Sequence, residues 1–578
     1  MPSSINIQAT FAADSAPRPI DGQQDEQWKK VAIVKRQERD AIIKAWDTYH
    51  EIRVKPSSTN VKFWPVQSGE LTEDELAITE MLPSKLVSEL ALGKLTAETT
   101  LLAFIKRSII AHHLTNPLTE IMFDQGIERA KELDRYWRQF RRPVGPFHGL
   151  PISLKDVINV KGLETTAGYV AKVGNKPESS DTLAQLLSRG GAVFFCKTNV
   201  PQTLVSGECF NYVFGRTTSP WNTTTSAGGS SGGEGSLVSL GGSPIGVGSD
   251  IGGSIRTPAN HNGVYGICPS TQRFPLHGPD NAAQNLIINA VSGPLSRSLD
   301  GLRVYLKGVL ALEPWNMDAT CLKLPWNQEE YSFWRNPGQR LCFGIIYTDG
   351  IVTPHPPIQR AMRETVNQLE AAGHHIVELP SFLEAKSDGF ERLMMRVFNA
   401  CGDEELQTAL SKYNEPLSPE VVAPKATDKL QLSEYLQAAN DILRLRQKYA
   451  LKYRDTVYQT PTGRPVDAII LPSGGHVSPP HGTMTYLLYE AISNLLDWTC
   501  ATIPVGFVDQ ELDQVSPEQK HAPVSAQDTA NWADYSPSKY ENVPICLQVL
   551  GQRHDEEKIL ACMEVIDRAL GKNEDTIV

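Results

Sequence analysis

Residues 228–258 read GGSSGGEGSLVSLGGSPIGVGSDIGGSIRTP, two glycine-rich runs with serines set inside them. Such loops leave backbone N–H groups uncovered, and three chemistries compete for the stretch. A phosphate-binding loop of the form G-x-x-x-x-G-K-[ST] fits Gly228 and Gly233 but then meets Glu234, a negative charge where the phosphate-reaching lysine must stand. A nucleophile elbow, G-x-S-x-G, is matched from Gly228 to Gly232 and from Gly229 to Gly233. An elbow follows a hydrophobic strand, whereas the polar segment PWNTTTSA, residues 220–227, precedes this one. That reading, an α/β-hydrolase-like esterase, stays as the runner-up. The third is acyl transfer by a serine whose base is not histidine.

A serine hydroxyl is a poor nucleophile until its proton is removed, and its tetrahedral intermediate needs donors aimed at the developing oxyanion. In the run DIGGS, Asp250–Ser254, Gly252 and Gly253 allow successive N–H groups to converge beside Ser254. A base stands upstream, where Lys155 lies in the apolar run LPISLKDVINV, residues 150–160. Lysine acts as a base only when neutral, and burial lowers its pKa by several units.

Together, SLKD (Ser153–Asp156), GGSSGGEG, GSDIGGSIRTPA (Gly248–Ala259) and PICLQVLGQR (Pro544–Arg553) resemble the amidase signature family of serine hydrolases, and within it the fungal acetamidase-type amidases. The motifs stand in family order, with 75 positions from Lys155 to Ser230 and 24 from Ser230 to Ser254. The resemblance implies that Ser254 is the acylated nucleophile, that Ser230 follows a cis Gly229–Ser230 bond and bridges to the base, and that Lys155 is that base. It implies an oxyanion hole from the backbone N–H groups of Ile251, Gly252, Gly253 and Ser254. A hydroxyl both donates and accepts, so Ser230 can relay a proton between Ser254 and Lys155. By the same likeness Thr203, Leu204 and Val205 wall the substrate pocket, loops within residues 380–500 complete it, and Ser231 holds the loop or the substrate backbone. Asp250, Arg256 and Glu234 are expected to keep the loops in shape. One departure stands out: where the family has G-x-[KR]-P-[ST], this chain reads GICPS, residues 266–270, with Cys268 in place of the basic residue.

Outward from these motifs, helical periodicity covers 27–46, a helix capped by Thr96, and 127–140, so the region 26–140 is expected to be mainly helical after a flexible leader at 1–25. Strands are expected at 150–160, 192–197, 341–347, 375–379, 468–471 and 545–550, with helices at 181–189 and 357–372 ended by Gly190–Gly191 and Gly373. The polar stretch 509–542 reads as a surface excursion. This alternation predicts an α/β fold: a single large domain with a twisted, mixed, mostly parallel β-sheet flanked by many α-helices, its core at 141–578. The resemblance implies the same.

Acidic residues outnumber basic ones by 66 to 55, the net charge is -11, and no Lys/Arg run marks a nucleic-acid footprint. Nine cysteines without C-x-x-C spacing, and no H-E-x-x-H, argue for reduced thiols and for no metal or other cofactor. Cys196, Cys268 and Cys546 read as core, and the pairs His112–His113 and His374–His375 as surface. No apolar run of about 18 residues is present, and the start lacks a secretory pattern, so no membrane span and a cytoplasmic protein are expected. The expected reaction is hydrolysis of the C–N bond of a small carboxylic amide or carbamate. An amidotransferase-type subunit is the alternative, and a homodimer is the one oligomer considered.

Overall fold

The apolar runs assemble into one sheet. In the computed structural model, which describes residues 26–47, 58–276, 287–515, 521–533, 535–573 and 577–578, the strands are β1 Leu118–Ile121, β2 Pro151–Lys155, β3 Val193–Thr198, β4 Phe210–Asn211, β5 Gly215–Arg216, β6 Gly246–Asp250, β7 Tyr265–Cys268, β8 Val291–Ser296, β9 Cys342–Ile345, β10 His375–Glu378, β11 Ala468–Pro472, β12 Cys500–Phe507 and β13 Pro544–Leu550. The leader expected at 1–25 lies outside the described residues. Eleven strands pair in the order β1-β3-β2-β6-β8-β7-β12-β13-β11-β9-β10, and β4 with β5 forms a separate ribbon. Every residue of β2, β6, β8 and β13 is buried, so these strands are covered on both faces and read as continuous runs instead of alternating ones.

The sheet is mixed, as expected, but parallel pairing is confined to its flanks, β3-β2-β6 and β11-β9-β10. The centre is antiparallel. Helical crossovers do make β6 and β7, and likewise β11 and β12, run in the same sense. β8 then inserts between the first two, and β13 between the second two, each in the opposite direction. β8 and β12 escape a sequence reading because VSGPLS carries Gly293 and Pro294 and CATIPVGF carries Pro504 and Gly506, residues that signal turns.

The mainly helical N-terminal region also supplies β1, which pairs with β3 and ties it into the sheet. Two further expectations need correction. The strand expected over 150–160 ends at Lys155, where the N–H groups of Val157 and Ile158 turn back to its carbonyl at 2.7 and 3.0 Å. His112 is buried, because its helix Ala97–Thr115 is covered on nearly all faces, and burial lowers its pKa. His113 stays at the surface and pairs with Asp47 at 3.1 Å. Thr96 caps that helix as expected, its hydroxyl accepting from the Thr99 N–H at 3.1 Å. The 509–542 excursion includes a helix, Ala526–Trp532. No helix among the described residues is long and apolar enough to cross a membrane.

Candidate active site

Because β2 and β6 are parallel neighbours, their carboxyl ends lie at the same edge of the sheet, where open α/β sheets place their ligands. Lys155 closes β2, and Asp250 closes β6 and opens the second glycine-rich run. Lys155 Nζ is 2.7 Å from Ser230 Oγ, 2.9 Å from Ser249 Oγ and 3.2 Å from Ser249 O. Burial lowers its pKa to about 7, against the opposing pull of the Asp250 charge. Ser230 follows a cis peptide bond from Gly229. The Ser231 N–H donates to Ser254 O at 3.1 Å, which lays the two runs side by side. Ser254 is half-buried, and its hydroxyl makes no hydrogen bond among the described residues. Lys155 and Ser230 are therefore joined directly, and Ser254 is brought alongside through the backbone.

Two glycines show why side chains are excluded. A Cβ on Gly229 would lie 2.2 Å from Ser206 O. Gly253 has φ +113°, and a Cβ there would lie 2.5 Å from Glu490 Cβ. Of the four N–H groups expected to form an oxyanion hole, that of Gly253 donates to Asp250 Oδ1 at 2.8 Å. Ile251, Gly252 and Ser254 are half-buried, whereas Gly253 is buried.

Asp250 holds the turn. Its carboxylate also takes the Ile255 N–H at 3.0 Å, Arg256 Nη2 at 3.0 Å and Asn494 Nδ2 at 2.9 Å. Burial would raise its pKa, but Arg256 and these donors hold it at about 2. Arg256 in turn donates to Gln548 Oε1 at 2.8 Å, Asn494 Oδ1 at 2.7 Å and the Glu490 carbonyl. Glu234 ties the helix Gly232–Ser239 to β2 and β3 by accepting from Ser153 Oγ at 2.6 Å and Thr198 Oγ1 at 2.9 Å, and burial pushes it up to about 8. The expected shape-keeping roles of Asp250, Arg256 and Glu234 match these contacts. Cys268 is buried with its thiol 3.8 Å from Asn494 Nδ2, and Arg256 supplies the positive charge beside Asp250.

Ser231 is fully buried and its hydroxyl donates to Ser249 O at 3.4 Å. Thr203 and Leu204 have φ +68° and +66°, a strained conformation for a β-branched residue such as Thr203 or a bulky one such as Leu204, and one that clusters at ligand sites. Val205 is exposed, and the chain that follows presses Ser206 O against Gly229. From within 380–500, Met394 and Phe398 of the helix Phe390–Phe398 stand 3.1 and 3.6 Å from where a Gly252 Cβ would be. A cavity of about 390 Å³ is lined by Thr224, His355 and Asn531 and, from within 380–500, by His476, Pro480 and Thr483, but by none of Thr203, Leu204, Val205 and Ser231. Sequence reasoning missed Ser249, Glu490 and Asn494. Among the described residues no cluster of three or more His, Cys, Asp or Glu could hold a metal ion.

The Amidase family model matches residues 99–560. The chain belongs to the amidase signature family. This amidase is 38% identical to the acetamidase of Emericella nidulans over 555 residues, covering 94% of the chain and 98% of that enzyme. It is 35% identical to the acetamidase of Aspergillus oryzae over 553 residues, covering 94% and 99%. The solved structure of a fatty acid amide hydrolase matches it with a TM-score of 0.85 at 31% identity, covering 96% of this chain and 98% of that one. The chain is thus a hydrolase of carbon–nitrogen bonds in linear amides.

Proposed function

We propose that the chain hydrolyses small carboxylic amides or carbamates through an acyl-enzyme on Ser254, with Ser230 as proton relay and Lys155 as base. The carrying observation is the 2.7 Å contact between a fully buried lysine and the hydroxyl of Ser230. Ser254 Oγ attacks the carbonyl carbon while its proton passes to Ser230, whose own proton moves to neutral Lys155. The oxyanion is met by the N–H groups of Ile251, Gly252 and Ser254, with Gly253 serving Asp250 instead. The proton returns through Ser230 to the leaving nitrogen, the C–N bond breaks, and the amine or ammonia departs. Water then attacks the acyl-serine by the same relay and releases the carboxylate. The unengaged Ser254 hydroxyl is free to turn onto Ser230 when substrate fills the site, since catalytic hydrogen bonds are often loose without it. Likeness to fungal acetamidases supports small amides as substrates.

The test is ammonia release by the purified chain from acetamide, ethyl carbamate and longer aliphatic amides. Turnover by the chain alone excludes a subunit that needs a companion, and no turnover of any of them sinks the reading. The pH profile is a second check. Lys155 must be unprotonated, so kcat/KM should rise about tenfold per pH unit below its value near 7 and flatten above it. A rate that fell above about pH 6 would remove Lys155 as the base.

A further inference from the structure

Glu490 stands in the first turn of the helix Leu488–Leu496 and is 1% exposed. Its stem lies directly on the nucleophile turn: a Cβ on Gly253 would be 2.5 Å from Glu490 Cβ and 3.4 Å from its Cγ. The carboxyl is barely satisfied. Oε1 receives the Thr257 hydroxyl at 3.5 Å, the limit of a hydrogen bond, and Oε2 has no partner among the described residues. Buried polar atoms are nearly always paired, because an unmet one forfeits its hydration without return. On another side of the same turn stand Met394 and Phe398, an apolar wall against Gly252. The turn carrying Ser254 thus has hydrocarbon on one side, suited to an acyl chain, and an unmet carboxyl oxygen on another.

We infer that Glu490 is a specificity-determining residue whose unpartnered oxygen takes an N–H of the substrate's amide nitrogen, selecting amides and carbamates with a free NH2 over N,N-disubstituted amides and esters. The inference rests on the reading of Ser254 as nucleophile. Burial pushes the Glu490 carboxyl up to about 8, so at neutral pH it presents a neutral acid, able to accept from one group and donate to another. A site built to hydrogen-bond a substrate N–H rejects the analogue lacking it far more strongly than an apolar pocket rejects a missing methylene.

The experiment compares kcat/KM for a primary amide with that for the ester of the same acid, which shares the acyl group but has no N–H. In Glu490→Leu the amide-to-ester ratio should fall at least about tenfold below wild type, the scale of one buried hydrogen bond. Glu490→Gln, which keeps the shape and an acceptor oxygen, should stay closer to wild type than the leucine variant. A ratio unchanged in Glu490→Leu, or amide and ester activity declining together, overturns the assignment and leaves Glu490 a packing residue. Being a ratio, the readout does not depend on how much of the variant is folded. If the leucine variant does not accumulate, the wild-type enzyme decides on the primary, N-methyl and N,N-dimethyl amides of one acid, each rate divided by that of its alkaline hydrolysis. Stepwise loss supports the inference and equal rates overturn it. Failure of the nucleophile reading shows separately, as ester hydrolysis surviving Ser254→Ala.

Discussion

Ser254→Ala should lower kcat on acetamide by at least about a thousandfold, because removal of a nucleophile leaves only the residual effect of binding and oxyanion donors. The fold should hardly notice. The Ser254 hydroxyl makes no hydrogen bond among the described residues, and alanine keeps both the N–H and the carbonyl that receives Ser231. Steady-state rates and a thermal melt of the same sample separate the two effects. Because Ser254, Ser230 and Lys155 are proposed to act as a unit, adding Lys155→Ala to Ser254→Ala should cost little more than the first change alone. More than about a tenth of wild-type turnover surviving in Ser254→Ala, far above that residue of catalysis, would take the nucleophile away from this position.

Asp250→Ala should produce the largest loss of stability of any single change at the site. Asp250 and Arg256 are both fully buried and joined at 3.0 Å, and the carboxylate also holds the N–H groups of Gly253 and Ile255. Removing one partner leaves a guanidinium uncompensated in the interior, a loss of about 3–5 kcal/mol in comparable pairs. The sign with pH follows from the folded value near 2, below the usual value of 3.8. The pair's contribution is present above the ordinary carboxylate range and is lost as pH falls from about 4 towards about 2. The measurement is the urea midpoint of Asp250→Ala against wild type, together with Asp250→Ala/Arg256→Met, which removes the orphaned charge and should recover part of the loss. A midpoint unmoved in the single variant, or lower still in the double one, would show that the pair does not hold the turn.

Much of the site was legible because its parts are local. GGSSGGEG and DIGGSIRTP each describe a single loop, and Asp250 and Arg256 pair across six positions within one of them. Lys155 was readable as a lysine inside a buried apolar run, although not as the residue that ends its strand. What could not be read depends on chain segments that meet only in space. Glu490 and Asn494 lie on a helix that looks like ordinary core and reaches the nucleophile turn from more than 200 positions away. Ser249 lies inside the motif GSDIGGSIRTPA, but only the parallel register of β2 and β6 turns it to Lys155. The antiparallel centre was missed for the same kind of reason. Pro and Gly in β8 and β12 mask strands whose partners, β6, β7 and β13, are set by topology and not by local preference.

The place of β13 between β11 and β12 has a consequence for how the chain is made. It comes later in the chain than both of its neighbours and yet lies between them inside the sheet, so β11 and β12 each wait with a bare hydrogen-bonding edge until residues 544–550 arrive. Long-range pairing of this kind is slow, and unpaired edges are templates for sticking to other chains. Biosynthesis of this enzyme therefore passes through a stage in which β11 and β12 are both made, the gap between them is open, and each presents an edge to which another chain can stick.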